Sequence, residues 1–151
     1  MQSITRPRVL CVDDDEDSRE MLTELLKLAL IEARTVGTAV QALSSFQTER
    51  FDLCVLDAWL PEIDGFELCR RMRAIDRRMP ILFFSGAAHT EDRKKGLDAG
   101  ANAYLVKPEI HSLIETITKL VSPVETATAQ VIPFRPKVSF YPNFTCGPLA
   151  A

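Results

Sequence analysis

The chain of 151 residues has no apolar run approaching the ~20 residues needed to cross a bilayer. Its first eight residues lead into a strand-like stretch without a cleavable signal pattern, so a cytoplasmic protein with no membrane partner is expected. A basic excess is missing too. The 18 Lys and Arg stand against 21 Asp and Glu, a net charge of −3 that argues against direct DNA binding. Cysteine is scarce. Its four copies (Cys11, Cys54, Cys69, Cys146) form no CxxC pair, and His89 and His111 are too isolated to complete a zinc cluster. Cys11 and Cys54 fall inside apolar runs, where a free thiol behaves as a small hydrophobe, in keeping with a reducing compartment. What remains is ordinary globular composition, 46% hydrophobic and 26% charged, which excludes wholesale disorder or a fibrous rod. The length is close to the ~150 residues of a single domain.

Two periodicities alternate up to about Val121. Val9–Val12, Phe51–Leu56, Ile81–Phe84 and Ala103–Val106 are short, mainly apolar strand-like runs and Ala33–Val36 is a weak second strand, whereas the segments between them repeat apolar residues at helical spacing. The first helix is expected over about Ser18 to Leu30. Thr38 and Thr90 suit helix N-caps, and Asp64-Gly65 opens a helix that turns Phe66, Cys69 and Met72 inward. Five strand–helix repeats predict an α/β fold with a doubly wound parallel sheet, and unalternated apolar strands are what a sheet buried on both faces requires. Ligands of such sheets sit outside the carboxyl ends of the strands.

The residues at those ends are Asp13, Asp14 and Asp15 after the first strand, Asp57 after the third, Ser85 after the fourth and Lys107 after the fifth. Each has an ordinary reading alone: a solvated acidic turn, a loop cap, a surface lysine. Together they are chemically specific. Two carboxylates ~4 Å apart repel by on the order of 4 kcal/mol at an effective dielectric near 20, so a fold that gathers three wants a cation. An all-oxygen set suits Mg²⁺. Lys107 and Ser85 are candidates to hold phosphoryl oxygens, and Asp57, central in the sheet, is the candidate nucleophile of an aspartyl phosphate.

Val12-Asp13-Asp14-Asp15, the run Leu56-Asp57-Ala58-Trp59-Leu60-Pro61-Glu62-Ile63-Asp64-Gly65, Phe84-Ser85-Gly86-Ala87, and Ala99-Gly100-Ala101 followed by Tyr104-Leu105-Val106-Lys107-Pro108 stand in one order and spacing. In these motifs the chain resembles the receiver domains of two-component response regulators, over about residues 6–121. The resemblance implies a flavodoxin-like (βα)5 fold with strand order 2-1-3-4-5 and a cis Lys107-Pro108 bond. It implies that Asp57 takes a phosphoryl group from a sensor histidine kinase or a histidine phosphotransfer protein. Asp14, Asp57 and the Trp59 carbonyl are then Mg²⁺ ligands, with Asp13 acting through water. The Ser85 hydroxyl is then expected to move toward the phosphoryl group and open space for Tyr104 to swing inward, which alters the surface of helix four, strand five and helix five for protein–protein output. A phosphorylation-dependent dimer is compatible with that output. On this reading the chain is a phosphoacceptor regulator rather than an enzyme, beyond self-catalysed phosphoryl transfer and dephosphorylation.

Trp59 is larger than the residue many receivers carry two after the acceptor, and a bulky indole there is expected to lengthen the phosphoryl lifetime. The alternative function is a Mg²⁺-dependent phosphohydrolase with an aspartyl nucleophile. Such enzymes carry a second acid two residues after the nucleophile, where this chain has Trp59. An FMN-binding flavodoxin is disfavoured because no Ser/Thr-rich phosphate loop follows the first strand. Arg70, Arg71, Arg73, Arg77 and Arg78 read as a solvated helix end whose cations suit the helix dipole. Residues 122–151 hold five of the nine prolines and the aromatics Phe134, Phe140, Tyr141 and Phe144, and read as a flexible or docking tail without an effector domain.

Overall fold

The computed structural model describes residues 5–122, so the tail from residue 123 on, with Cys146, lies outside the described residues. Five strands, β1 (Arg8–Val12), β2 (Glu32–Val36), β3 (Leu53–Leu56), β4 (Ile81–Ser85) and β5 (Ala103–Val106), alternate with five helices. The helices are α1 (Glu16–Leu28), α2 (Ala39–Thr48), α3 (Gly65–Ile75), α4 (Thr90–Asp98) and α5 (Ile110–Val121). All strand pairs are parallel, in the order β2-β1-β3-β4-β5, as expected of the flavodoxin-like topology. The order reverses between β1 and β3, which opens a crevice beyond their carboxyl ends.

Side chains of successive strand residues point to opposite faces, so each strand feeds two cores. Val9, Cys11, Leu53, Val55, Leu82 and Phe84 pack with Leu22 and Leu26 of α1 and Leu113 and Ile117 of α5. Leu10, Val12, Cys54, Leu56, Ile81 and Phe83 pack with Ala42 and Phe46 of α2 and Phe66, Cys69 and Met72 of α3. Each fully buried Leu or Phe contributes roughly 1.5–3 kcal/mol of transfer free energy. Cys11 and Cys54 therefore face opposite cores, and burial pushes the Cys11 and Cys69 thiols up to about 12. Among the described residues no helix is long and apolar enough to cross a membrane.

Helix ends differ from the sequence expectation for identifiable reasons. The first helix begins at Glu16 rather than Ser18, because the Asp15 carboxylate accepts the Ser18 N–H at 2.8 Å and acts as N-cap. It ends two residues before Leu30. Leu30 adopts φ +63°, with Leu30 N–H donating to Lys27 O at 3.0 Å and Ile31 N–H to Leu26 O at 2.8 Å. That pair of bonds is a Schellman motif, completed by the buried contact side of Ile31 and Leu26. The left-handed position usually belongs to glycine, and Leu30 is 60% exposed. Leu30→Gly is expected to stabilise the fold by about 1 kcal/mol in denaturant titration, since it relieves left-handed strain and removes little packing. The cap of α4 is His89 rather than Thr90: buried Asp92 reaches back to accept the His89 N–H at 3.2 Å.

Arg73 corrects the reading of the arginine run as solvated. It is 1% exposed, and its guanidinium donates to Gly100 O at 2.8 Å, Met79 O at 2.5 Å and Asn102 Oδ1 at 2.8 Å. It ties the end of α3 to the turn that enters β5. Arg70 and Arg71 are exposed and pair with Glu67, as a solvated face predicts.

Candidate functional site

Three main-chain bonds align the strand ends. Asp13 N–H donates to Val36 O at 3.1 Å, Asp57 N–H to Val12 O at 2.9 Å, and Lys107 N–H to Ser85 O at 2.9 Å. The sheet thereby delivers Asp13, Asp57, Ser85 and Lys107 to one pocket. The Lys107 Nζ lies 2.7 Å from Asp13 Oδ2 and 3.3 Å from Asp57 Oδ2, and the Ser85 hydroxyl donates to Asp57 Oδ1 at 2.7 Å. Asp14 is exposed, yet one carboxylate oxygen from each of Asp13, Asp14 and Asp57 falls within 4.8 Å of the others. That all-oxygen donor set fits a hard divalent cation. The Lys107-Pro108 peptide is cis, as the resemblance implied.

Asp57 is 9% exposed and three donors surround its carboxylate: Lys107, Ser85, and the Trp59 N–H at 3.3 Å from Oδ1. Burial by itself lowers the Lys107 pKa, but the Asp13 hydrogen bond and the charges of Asp57 and Asp13 outweigh it and hold the ammonium above its ordinary 10.5. A lysine raised in the folded state adds stability that is complete below its unfolded pKa and is lost as pH rises through the folded value. Lys107→Ala is therefore expected to be less stable than wild type at neutral pH. The gap should narrow above pH 10.5 in thermal melts taken across alkaline pH. A gap independent of pH would contradict the pairing.

Tyr104 on β5 is already turned inward, 5% exposed with its hydroxyl donating to Ala87 O at 2.7 Å, so the expected inward swing does not start from an outward ring. Its ring stacks on Phe83 at 5.4 Å, Phe83 meets Phe66 at 5.3 Å, and Phe66 meets Trp59 edge-on at 6.1 Å. Gly96 of α4 makes this possible, for a Cβ there would lie 2.7 Å from Tyr104 Cδ2 and 3.1 Å from Phe83 Cδ2. The structure thus brings Asp13, Asp14, Asp57, Ser85 and Lys107 together, seats the Trp59 backbone beside Asp57, and keeps the Trp59 indole 55% exposed. Three residues around the site were not legible as contributors. Gly65 packs on the Asp57 main chain, Gly96 clears Tyr104, and Arg19 donates to Asp13 O at 2.8 Å. Gly65 stands in the motif run that ends Asp64-Gly65, whereas Arg19, the fourth residue of α1, and Gly96 carry no local sign of these roles.

Comparison with known proteins agrees with the geometry. The family model for the response regulator receiver domain matches residues 9–118. The transcriptional regulatory protein PrrA of Mycobacterium tuberculosis is 34% identical over 137 residues, covering 88% of this chain and 59% of that protein. The response regulator MprA of Mycobacterium leprae is 34% identical over 131 residues, covering 84% and 58%. The chain thus spans about three-fifths of the length of these curated relatives. Among solved structures, a CheY-like receiver domain protein from Methanospirillum hungatei superposes with a TM-score of 0.73 at 30% identity, covering 78% of this chain and 94% of that one. Vibrio cholerae CheY4 gives 0.72 at 30%, covering 77% and 99%. With its parallel sheet, its acidic pocket and its lysine in the family's arrangement, the chain belongs to the response regulator receiver domains, the phosphoaccepting signalling modules of two-component systems.

Proposed function

We propose that Asp57 is the phosphoacceptor and takes its phosphoryl group from a phosphohistidine on a sensor histidine kinase or a histidine phosphotransfer protein. The observation that carries this reading is the Asp57 carboxylate itself, buried and central, with Ser85 on Oδ1, Lys107 bridging Oδ2 to Asp13, and the Asp13 and Asp14 carboxylates within reach of a shared cation. A carboxylate oxygen attacks phosphorus, the P–N bond breaks as the P–O bond forms, and the imidazole leaves. Lys107 and Ser85 then turn from Asp57 to the phosphoryl oxygens, where a cation and a hydroxyl offset the growing charge. Dephosphorylation is the attack of water on the same phosphorus, which restores the carboxylate and releases inorganic phosphate.

Asp14, Asp57 and the Trp59 carbonyl would hold Mg²⁺, with Asp13 acting on it through water, as the family resemblance implies. When bound, Mg²⁺ supplies charge neutralisation and a template for phosphoryl oxygens. The Ser85 shift draws Gly86 and Ala87 with it, and Tyr104, bonded to Ala87 O, carries the change to β5 and to the neighbouring α4 and α5. Output is contact with a downstream protein or a second copy of the receiver. The transcriptional role in the name of PrrA stays with that relative. The receiver unit comprises residues 6–121, and its chemistry fits a cytoplasmic setting.

The test is incubation with Mg²⁺ and acetyl phosphate or phosphoramidate, followed by intact mass measurement. A gain of one phosphoryl group is expected. Turnover of unrelated phosphate monoesters would support the hydrolase instead, although Trp59 leaves that chemistry without its second acid. Trp59→Asn is expected to shorten the acyl phosphate lifetime several-fold. An unchanged lifetime would remove the indole from any role in shielding the phosphoryl group.

A further inference from the structure

Four polar atoms of Asp13 are engaged, and each bond comes from a different part of the fold. Its N–H donates to Val36 O on β2 at 3.1 Å, Oδ1 accepts the Asp15 N–H at 2.9 Å, and Oδ2 accepts Lys107 at 2.7 Å. The fourth is its main-chain carbonyl, which accepts Arg19 Nη1 at 2.8 Å. That carbonyl belongs to the peptide plane joining Asp13 to Asp14. Whatever fixes it also fixes the direction in which Asp14 leaves the backbone. Among the described residues Arg19 has no carboxylate within 4.0 Å, so the main partner of its guanidinium is this carbonyl.

Gly37 supplies the second observation. A Cβ at this position would lie 3.0 Å from Arg19 Nη1, 3.5 Å from Arg19 Cζ and 3.9 Å from Asp13 O. Its φ lies outside the left-handed range, so backbone conformation does not require glycine here. A methyl there would instead press on the tip of the Arg19 side chain, which would have to give by a few tenths of an ångström. Two elements far apart in sequence, the start of α1 and the end of β2, are thus shaped around one hydrogen bond to the acidic loop.

We propose that Arg19 is a positioning residue that holds the Asp13–Asp14 peptide so that both carboxylates converge with Asp57, with Gly37 as the clearance that lets it do so. The proposal rests on the reading of the acidic pocket as a Mg²⁺ site and adds the group that sets its affinity. Residues that orient metal ligands from outside are typically worth about 10–100-fold in metal affinity. Arg19 fixes a backbone carbonyl rather than a ligand oxygen, so an effect near the lower end is expected.

Calorimetric titration of the full chain with MgCl₂ tests it, alongside the Mg²⁺ dependence of phosphorylation by acetyl phosphate. Arg19→Ala is expected to raise the half-saturating Mg²⁺ about tenfold. Its phosphorylation rate at saturating Mg²⁺ should stay within about threefold of wild type, because Asp57, Ser85 and Lys107 are untouched. Arg19→Lys, which keeps a charged donor, should recover part of the affinity. Gly37→Ala provides the second route: the added methyl meets the flexible tip of Arg19, so it should fold and still weaken Mg²⁺ binding in the same direction. A lowered melting midpoint with wild-type Mg²⁺ affinity in Arg19→Ala and Gly37→Ala would overturn the proposal and leave Arg19 a structural residue. A wild-type chain that takes up no Mg²⁺ would overturn the metal reading itself, and the proposal with it.

Discussion

Asp57→Asn takes up no phosphoryl group from acetyl phosphate under conditions in which the wild type gains one; that is the expected result of intact mass measurement. The two side chains have the same shape, but the amide has no anionic oxygen to attack phosphorus. Loss of the acceptor must be separated from loss of the fold, and the geometry allows this. Asp57 belongs to a group of three carboxylates with oxygens within 4.8 Å, whose pairwise repulsion is on the order of 4 kcal/mol at an effective dielectric near 20 before Lys107 offsets it. Removing one charge relieves that repulsion, and Lys107 keeps its shorter bond to Asp13 at 2.7 Å. The variant is therefore expected to melt at or above the wild-type temperature while remaining unphosphorylated. Uptake at the wild-type rate would place the acceptor on another residue.

The second large effect is on the fold. Gly65 opens α3, and a Cβ there would fall 2.0 Å from Asp57 O and 2.9 Å from Ala58 Cα. Both are backbone atoms of the acceptor loop, with no flexible tip that can move aside. Gly65 N–H also donates to Ala58 O at 2.8 Å, so the close approach is part of how the loop closes. Gly65→Ala must push β3 and α3 apart or break that bond, and a cost of about 3 kcal/mol or more is expected, at the upper end of overpacking effects. For a domain of this size that moves the melting midpoint down by roughly 10–20 °C. Because the displaced atom is the Asp57 carbonyl, phosphorylation should slow even in the molecules that fold. Gly86→Ala is the control, since a Cβ there meets nothing within 4 Å and should leave stability within about 0.5 kcal/mol. Equal melting of the two variants would mean that the loop is looser than its contacts imply.

The sheet was legible because its three central strands, β1, β3 and β4, are buried on both sides, which forces uninterrupted apolar runs, whereas the edge strand β2 left only a weak pattern. Its carboxyl ends were legible for a related reason: apolar runs that stop at acids, a hydroxyl and a lysine leave little else for those residues to do. Arg73 was not legible as a core residue from composition, because neighbouring arginines on α3 are exposed. Its position was available from spacing. It lies seven residues after Phe66 and four after Cys69, on the inward stripe of the helix, where a charged residue survives only if main-chain carbonyls surround it. The ends of α1 and α4 were misplaced by one or two residues because capping there depends on tertiary detail. Asp92 must be buried before it can reach His89, and Leu30 takes a conformation usually left to glycine. The inward Tyr104 depends on Gly96, and no local pattern says that a glycine in a helix is there to admit a ring from the next strand.

Trp59 is the only tryptophan of the chain. Its indole is half in solvent and edge-on to Phe66, while its backbone amide touches the Asp57 carboxylate. The molecule thus carries a built-in optical reporter at the rim of its own reaction centre. Changes of charge at that centre can be followed in real time by ultraviolet emission, in unlabelled material and in the presence of any partner that itself lacks tryptophan.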